Sequence, residues 1–183
     1  MAKRRVYGKI DFVFENEVIM FTAGILTIST KGALGQRVDK SAEVMREVLA
    51  TAETRVVKYE IVTDDRTIIA NKLKEWADEG AMDVILSTGG TGLSPTDVTP
   101  EATLSVVEKQ VPGIGEAMRV RTSGIAPTAI LSRAVAGVRK KCLIINLPGN
   151  PKAVRECLEV VLPVIPHAVD IIKGVVTEHK AQA

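Results

Sequence analysis

The sequence predicts an α/β protein built on a largely parallel sheet, and three observations carry that expectation. Apolar residues make up 46% of the chain while aromatics make up only 3%, the composition of Val/Ile strands packed under Ala/Leu helices. From residue 23 onward, short β-branched apolar runs alternate with amphipathic helical stretches. Each run ends in a loop carrying glycine or aspartate, where a strand hands over to a helix. A length of 183 residues fits one ordinary domain around a single core.

Taken in order, residues 6–14 (VYGKIDFVF) alternate roughly and read as a strand or hairpin arm ahead of Phe21. Residues 23–29 (AGILTIS) form the first buried strand, followed by a loop with Gly32 and Gly35. Val44, Met45, Val48, Leu49 and Ala52 then share one helical face, with Glu43, Arg46 and Glu47 turned elsewhere. Residues 55–62 are β-rich and end at Thr63, Asp64 and Asp65, after which Ile68, Ile69, Leu73, Trp76 and Ala77 recur at helical spacing. Residues 83–88 (DVILST) are a further buried strand running into Gly89, Gly90, Thr91 and Gly92. Two β-α-β units in series, with right-handed crossovers, imply parallel pairing.

Further on, Thr99 reads as an N-cap, Pro100 as the first helical residue and Glu101 as the acidic group that suits a helix start. Residues 135–147 read as two β-runs around Arg139, Lys140 and Lys141, a hairpin late in the sheet. Asn150 and Pro151 repeat the cap-plus-proline signature before Val154, Leu158, Val161 and Leu162, and Pro163 and Pro166 should break or restart that helix. With no internal repeat or long linker, the expected division is an extension at 1–21, one α/β domain at 22–176 and a polar tail at 177–183.

Several functions are disfavoured by composition. Twenty-four basic against 22 acidic residues leave a formal charge of +2, too little for nucleic acid or an anionic membrane as the main partner. The cluster Lys3, Arg4, Arg5 is short and has no aromatic stacking set beside it. No apolar run approaches the ~20 residues of a membrane span and no signal peptide is recognisable, so a cytoplasmic location is expected. Cys142 and Cys157 read as small core residues that stay reduced. His167 and His179, without a CxxC pair, offer no zinc site.

In an open parallel sheet, ligands gather beyond the carboxyl ends of the strands. Four loops meet that condition: STKGALG, TDD, STGGTGLSPTDVTP and NLPGNPK. Any one of them alone reads equally as an ordinary turn. Consecutive glycines in TGGTG allow a backbone to approach a ligand closely and aim N–H groups at phosphate, yet neither a P-loop nor a Rossmann fingerprint is present. Asp64 and Asp97 have two readings on pattern alone. Each is a turn or cap residue, or the pair holds Mg²⁺ against a triphosphate, because Mg²⁺ takes one or two carboxylates beside phosphate and water.

The strings STGGTGLSPTDVTPEAT (87–103), PTAILSR (127–133) and NLPGNPKAVRECL (146–158), with the Asp39-Lys40 pair ahead of a helix, resemble the MoaB/Mog family of molybdopterin-binding proteins over residues 22–175. The resemblance implies a three-layer α/β/α sandwich with a central, mostly parallel sheet, assembled as a homotrimer or a dimer of trimers; apolar Val160, Val161, Val164 and Ile165 also suggest assembly. It implies transfer of AMP from ATP to molybdopterin, giving adenylylated molybdopterin and pyrophosphate with Mg²⁺. By motif position Asp64 and Asp97 are the catalytic and metal-holding aspartates. Ser29, Thr88, Gly89, Gly90, Thr91 and Gly92 line the pterin and phosphate region, and Ser132, Arg133, Pro148 and Gly149 surround the nucleotide. Lys40, Arg133 and Lys152 are further positive groups. The chain departs from the pattern at Ser29-Thr30-Lys31, where many relatives carry Ser-Asp. Alternatives are a molybdopterin carrier without strong catalysis, the longer molybdotransferase to which such an enzyme hands its product, and a phosphate- or sugar-nucleotide-binding module.

Overall fold

The computed structural model describes residues 20–175; the predicted strand at 6–14, most of the extension at 1–21 and the tail at 177–183 lie outside them. Among the described residues one six-stranded sheet runs in the order β2-β1-β3-β6-β5-β4. The strands are β1 (Phe21–Ile28), β2 (Thr54–Val62), β3 (Val84–Thr88), β4 (Lys109–Gln110), β5 (Ala136–Arg139) and β6 (Cys142–Leu147). The first three and β6 are mutually parallel, whereas β5 and β4 add on antiparallel. β5 and β6 make the predicted hairpin, with Lys140 at φ 53° in its tight turn.

The helices are α1 (Thr30–Ala33), α2 (Lys40–Ala50), α3 (Arg66–Glu79), α4 (Thr99–Leu104), α5 (Pro112–Ser123), α6 (Pro151–Val161) and α7 (Ile165–Lys173). Alternate strand residues face opposite sides, and the core accordingly divides in two. Ala23, Ile25, Leu86 and Ile145 pack with residues of α2, α5, α6 and α7, while Leu26, Ile28, Ile85 and Ile144 pack with α3 and α4. The result is a three-layer α/β/α sandwich. Trp76 and Leu73 of α3 are essentially fully buried, each stabilising by about 1.5–3 kcal/mol. Gly24 is what admits Trp76, since a Cβ there would stand 3.1 Å from the indole and 2.5 Å from Met82 Sδ.

Several local expectations are revised. The loop after β1 begins with the short helix α1, because Ser29 Oγ accepts from Gly32 N. Ala52 falls beyond the end of α2. Thr99 is the first residue of α4, not its cap: Val98 holds the cap position and makes no side-chain bond. The Thr99 hydroxyl donates instead to Gly89 O at 2.8 Å. Val161 and Ile165 belong to the chain's own core and Val160 is partly buried against it, so of the apolar residues that suggest assembly only Val164, at 52%, is fully exposed. α5 and the 3₁₀ turn Pro127–Leu131 carry too little apolar periodicity to be read from sequence. Asn150 does cap α6, accepting from Lys152 N and Ala153 N, and the helix gives way at Pro163 as expected.

Candidate active site

The chain leaves β1 in one direction to make β2 and crosses back to make β3, so the sheet order reverses between β1 and β3. Their carboxyl ends lie level, with Thr27 beside Thr88 and Thr88 beside Leu147. A crevice opens at such a reversal. Here it is a cavity of about 1000 Å³ lined by residues 27–32 after β1, residues 37–41 at the start of α2, Asp64, residues 88–90, Thr96 and residues 149–151. The N-termini of α2 and α6, each 11 residues long, converge on it, and helix N-termini favour anions. Lys31, Arg37 and Lys40 add positive charge to the wall, and none of the three forms a salt bridge with another described residue.

The glycine loop is held by packing that permits no side chain. Gly89 and Gly90 have φ of 102° and 64°; a Cβ on Gly89 would come within 2.4 Å of Ile28 O, and one on Gly90 within 2.4 Å of Thr99 Oγ1. Thr88 Oγ1 donates to Pro148 O and Ser41 Oγ donates to Gly149 O, so the loops after β3 and β6 are tied to each other and to α2. Beneath α4, Asn146 Nδ2 donates to Ser87 Oγ and Thr103 Oγ1, which seats α4 and, through Thr99, the loop. Among the described residues, the backbone N–H groups of Gly90, Thr91 and Gly92 donate to no protein acceptor.

Arg133 lines neither this cavity nor its neighbour. Its Nε donates to Gly92 O at 2.7 Å, its Nη2 to Asp97 O at 2.5 Å, and its Nη1 pairs with Glu101 Oε1, while its own N–H reaches Thr91 O. The guanidinium is thus committed to the segment 91–97 from behind. Desolvation pushes the Glu101 carboxyl up, but its own backbone N–H and Arg133 outweigh that and hold it below the usual carboxylate range. Lys152 is 78% exposed and faces Glu156 at 3.8 Å, and it too lines neither cavity.

The second cavity, about 520 Å³, lies on the other side of Gly90, Gly149 and Asn150 and contains Thr91, Gly92, Asp97, Ser132 and Pro148. Much of its wall is apolar, from Leu93, Met118, Ala129, Leu131 and Ala153. The predicted residues therefore divide: Ser29, Asp64, Thr88 and Gly89 face the first cavity, Thr91, Gly92, Asp97, Ser132 and Pro148 the second, and Gly90 and Gly149 both. Sequence reasoning missed Arg37 and Ser41 and, on the second cavity, Met118, Arg119 and Thr122. Those three sit on α5, and a helix that the sequence does not reveal yields no site residues.

Neither aspartate caps a helix. Asp65 caps α3, accepting from Thr67 N and Ile68 N. Asp64 Oδ2 accepts from Thr30 N and Thr30 Oγ1, both at 2.7 Å, and Asp97 Oδ2 accepts from Ser94 N at 2.8 Å. Among the described residues the Oδ1 atom of each accepts nothing. Each carboxylate thus keeps one oxygen for a ligand, Asp64 on the first cavity and Asp97 on the second, and Mg²⁺ takes one or two such carboxylates beside phosphate oxygens and water.

Fold and site together define an α/β protein on a mostly parallel sheet, with an anion-favouring crevice at its topological switch point. The model of the probable molybdopterin binding domain matches residues 24–167. The chain is 47% identical over 153 residues to the molybdopterin adenylyltransferase of Helicobacter pylori J99, covering 82% of this chain and 87% of that protein. It is 43% identical over 138 residues to the Escherichia coli K12 molybdopterin adenylyltransferase, covering 74% and 71%. The crystal structure of the molybdopterin biosynthesis enzyme MoaB from Thermus thermophilus superposes with a TM-score of 0.80 at 50% identity, covering 84% of this chain and 97% of that one. The chain belongs to the molybdopterin-binding domain family. No helix among the described residues is long and apolar enough to cross a membrane.

Proposed function

We propose that the chain is a molybdopterin adenylyltransferase: a molybdopterin phosphate oxygen attacks the α-phosphorus of ATP, the bond to the β-phosphate breaks, AMP is transferred and pyrophosphate leaves. The observation that carries this reading is the pair of aspartates, each with an uncommitted oxygen, on cavities that share the wall of Gly90, Gly149 and Asn150. The attacking phosphate is already anionic at neutral pH and needs little help from a base. The protein's task is to bring two polyanions together and offset charge on the leaving group.

Lys31, Arg37, Lys40 and the N-termini of α2 and α6 attract the phosphates, and the N–H groups of Gly90, Thr91 and Gly92 are donors for their oxygens. Asp64 and Asp97 would hold Mg²⁺, which when bound supplies charge neutralisation and orients the phosphates. Arg133 keeps the segment carrying Asp97 in place. A homotrimer or dimer of trimers, and handover of the product to a molybdotransferase, belong to the same reading. The exposed side chains of Leu93, Val120, Ile125 and Ile130 support assembly, and light scattering at micromolar concentration tests it, a monomer counting against it. Incubating purified protein with molybdopterin, ATP and Mg²⁺ should yield adenylylated molybdopterin and pyrophosphate. Molybdopterin binding without product would make the chain a carrier.

A further inference from the structure

Among the described residues the Asp64 carboxylate is oriented by a single neighbour. Thr30 donates to Oδ2 through both its backbone N–H and its hydroxyl, and its Oγ1 in turn accepts from Asp64 N at 3.1 Å. These three bonds prolong the pairing of β1 and β2 beyond their last ladder residues, directly after Ser29 N donates to Val62 O at 2.9 Å. Thr30 is itself fixed as the first residue of α1, whose start Ser29 caps. With Oδ2 saturated by Thr30, Oδ1 is the oxygen of Asp64 left for a ligand, and both residues line the larger cavity.

We infer that Thr30 is a positioning residue: its hydroxyl fixes the rotamer of Asp64 so that Oδ1 is presented to the divalent cation of the bound nucleotide. A backbone N–H alone leaves the carboxylate free to swing about one contact, whereas two donors from one residue, with the return bond from Asp64 N, define its plane. Removing a partner that orients a ligating group typically costs 10–100-fold in metal affinity or activity. The inference rests on the proposed function for the identity of the nucleotide, but the orientation of Asp64 by Thr30 is independent of which reaction follows.

The test compares Thr30→Val and Thr30→Ala, which remove the hydroxyl, with Thr30→Ser, which keeps it. The readouts are calorimetric affinity for Mg²⁺ in the presence of α,β-methylene ATP, which does not turn over, and the Mg²⁺ concentration giving half-maximal adenylylation. Both hydroxyl-free variants should need roughly tenfold more Mg²⁺ or beyond, with metal-free analogue affinity little changed, and Thr30→Ser should restore the wild-type requirement. Unchanged Mg²⁺ affinity in either folded hydroxyl-free variant, checked by thermal unfolding, overturns the inference, as does a Thr30→Ser variant as impaired as Thr30→Ala. If the wild-type protein binds Mg²⁺ and the analogue but makes no adenylylated product, the proposed reaction fails while the calorimetric comparison still decides the role of Thr30.

Discussion

The two aspartate corners of the site are built differently. At the Asp64 corner one polar residue on a short helix holds the carboxylate, and the surrounding wall carries Lys31, Arg37 and Lys40. At the Asp97 corner the backbone itself is locked: three acceptors of the segment and of α4 converge on Arg133, and Gly92 leaves room for the Asp97 carboxylate, whose Oδ2 a Cβ would meet at 2.8 Å. The first corner is set by side chains that can be exchanged one at a time. The second is set by backbone shape, so perturbing it should disturb fold and function together.

The largest effect should come from removing either charge. Asp64→Asn and Asp97→Asn keep shape, and each should lower single-turnover adenylylation by on the order of 10²-fold, the scale of losing an electrostatic stabiliser. Molybdopterin affinity, measured by titration, should change far less. Full activity in both variants would defeat their assignment. Next is Gly89→Ala, which drives a methyl against Ile28 O and should cost roughly 2–4 kcal/mol of stability in chemical denaturation along with activity. Gly35→Ala is the control: its φ is 70° but nothing lies within 4 Å of the added Cβ, so about 1 kcal/mol is expected and turnover of the folded protein should be retained.

Arg133→Lys separates the corners more finely. A lysine cannot serve three acceptors from a planar fork, so about 2 kcal/mol of stability and about tenfold in turnover should be lost, while the Mg²⁺ dependence set at the Asp64 corner should hold. A variant with normal turnover would mean that the loop keeps its shape without the clamp. The smallest effect is expected at the buried cysteines, of which Cys142 lines neither cavity and Cys157 sits in the wall of the second. Burial pushes the Cys142 thiol up to about 12 and the Cys157 thiol up to about 11, so both stay protonated at about pH 8 and should resist a thiol reagent in the folded protein. Rapid labelling at that pH under native conditions would contradict this, and a Cys142–Cys157 bond on non-reducing mass spectrometry would contradict their free state.

How much was legible in the sequence varies with how local its cause is. Strand and helix identity at β1, α2, β2, α3, β3, β5, β6 and α6 follows from periodicity within single segments, and the Asn150-Pro151 start of α6 from capping chemistry among neighbours in the chain. The motif strings identified the loops that meet at the carboxyl ends of the strands. Roles that depend on distant partners were invisible. Whether Thr99 caps a helix or bonds Gly89 O depends on how α4 docks; whether Val161 and Ile165 face outward depends on α7 folding back under the sheet. Arg133 reads as a ligand group from its motif, but tertiary structure commits its donors to the part-buried carbonyls of Gly92 and Asp97 and to Glu101. Asp64 and Thr30 are 34 residues apart in sequence, and only the parallel pairing of β1 with β2 brings their ends together. The sequence by itself determined which segments become strands and which loops end at the site, since those are local hydrophobic and turn preferences. Only the packed sheet decided which side chains meet there and which are consumed in holding it, since those depend on register and on which donors and acceptors the docking of distant segments brings together.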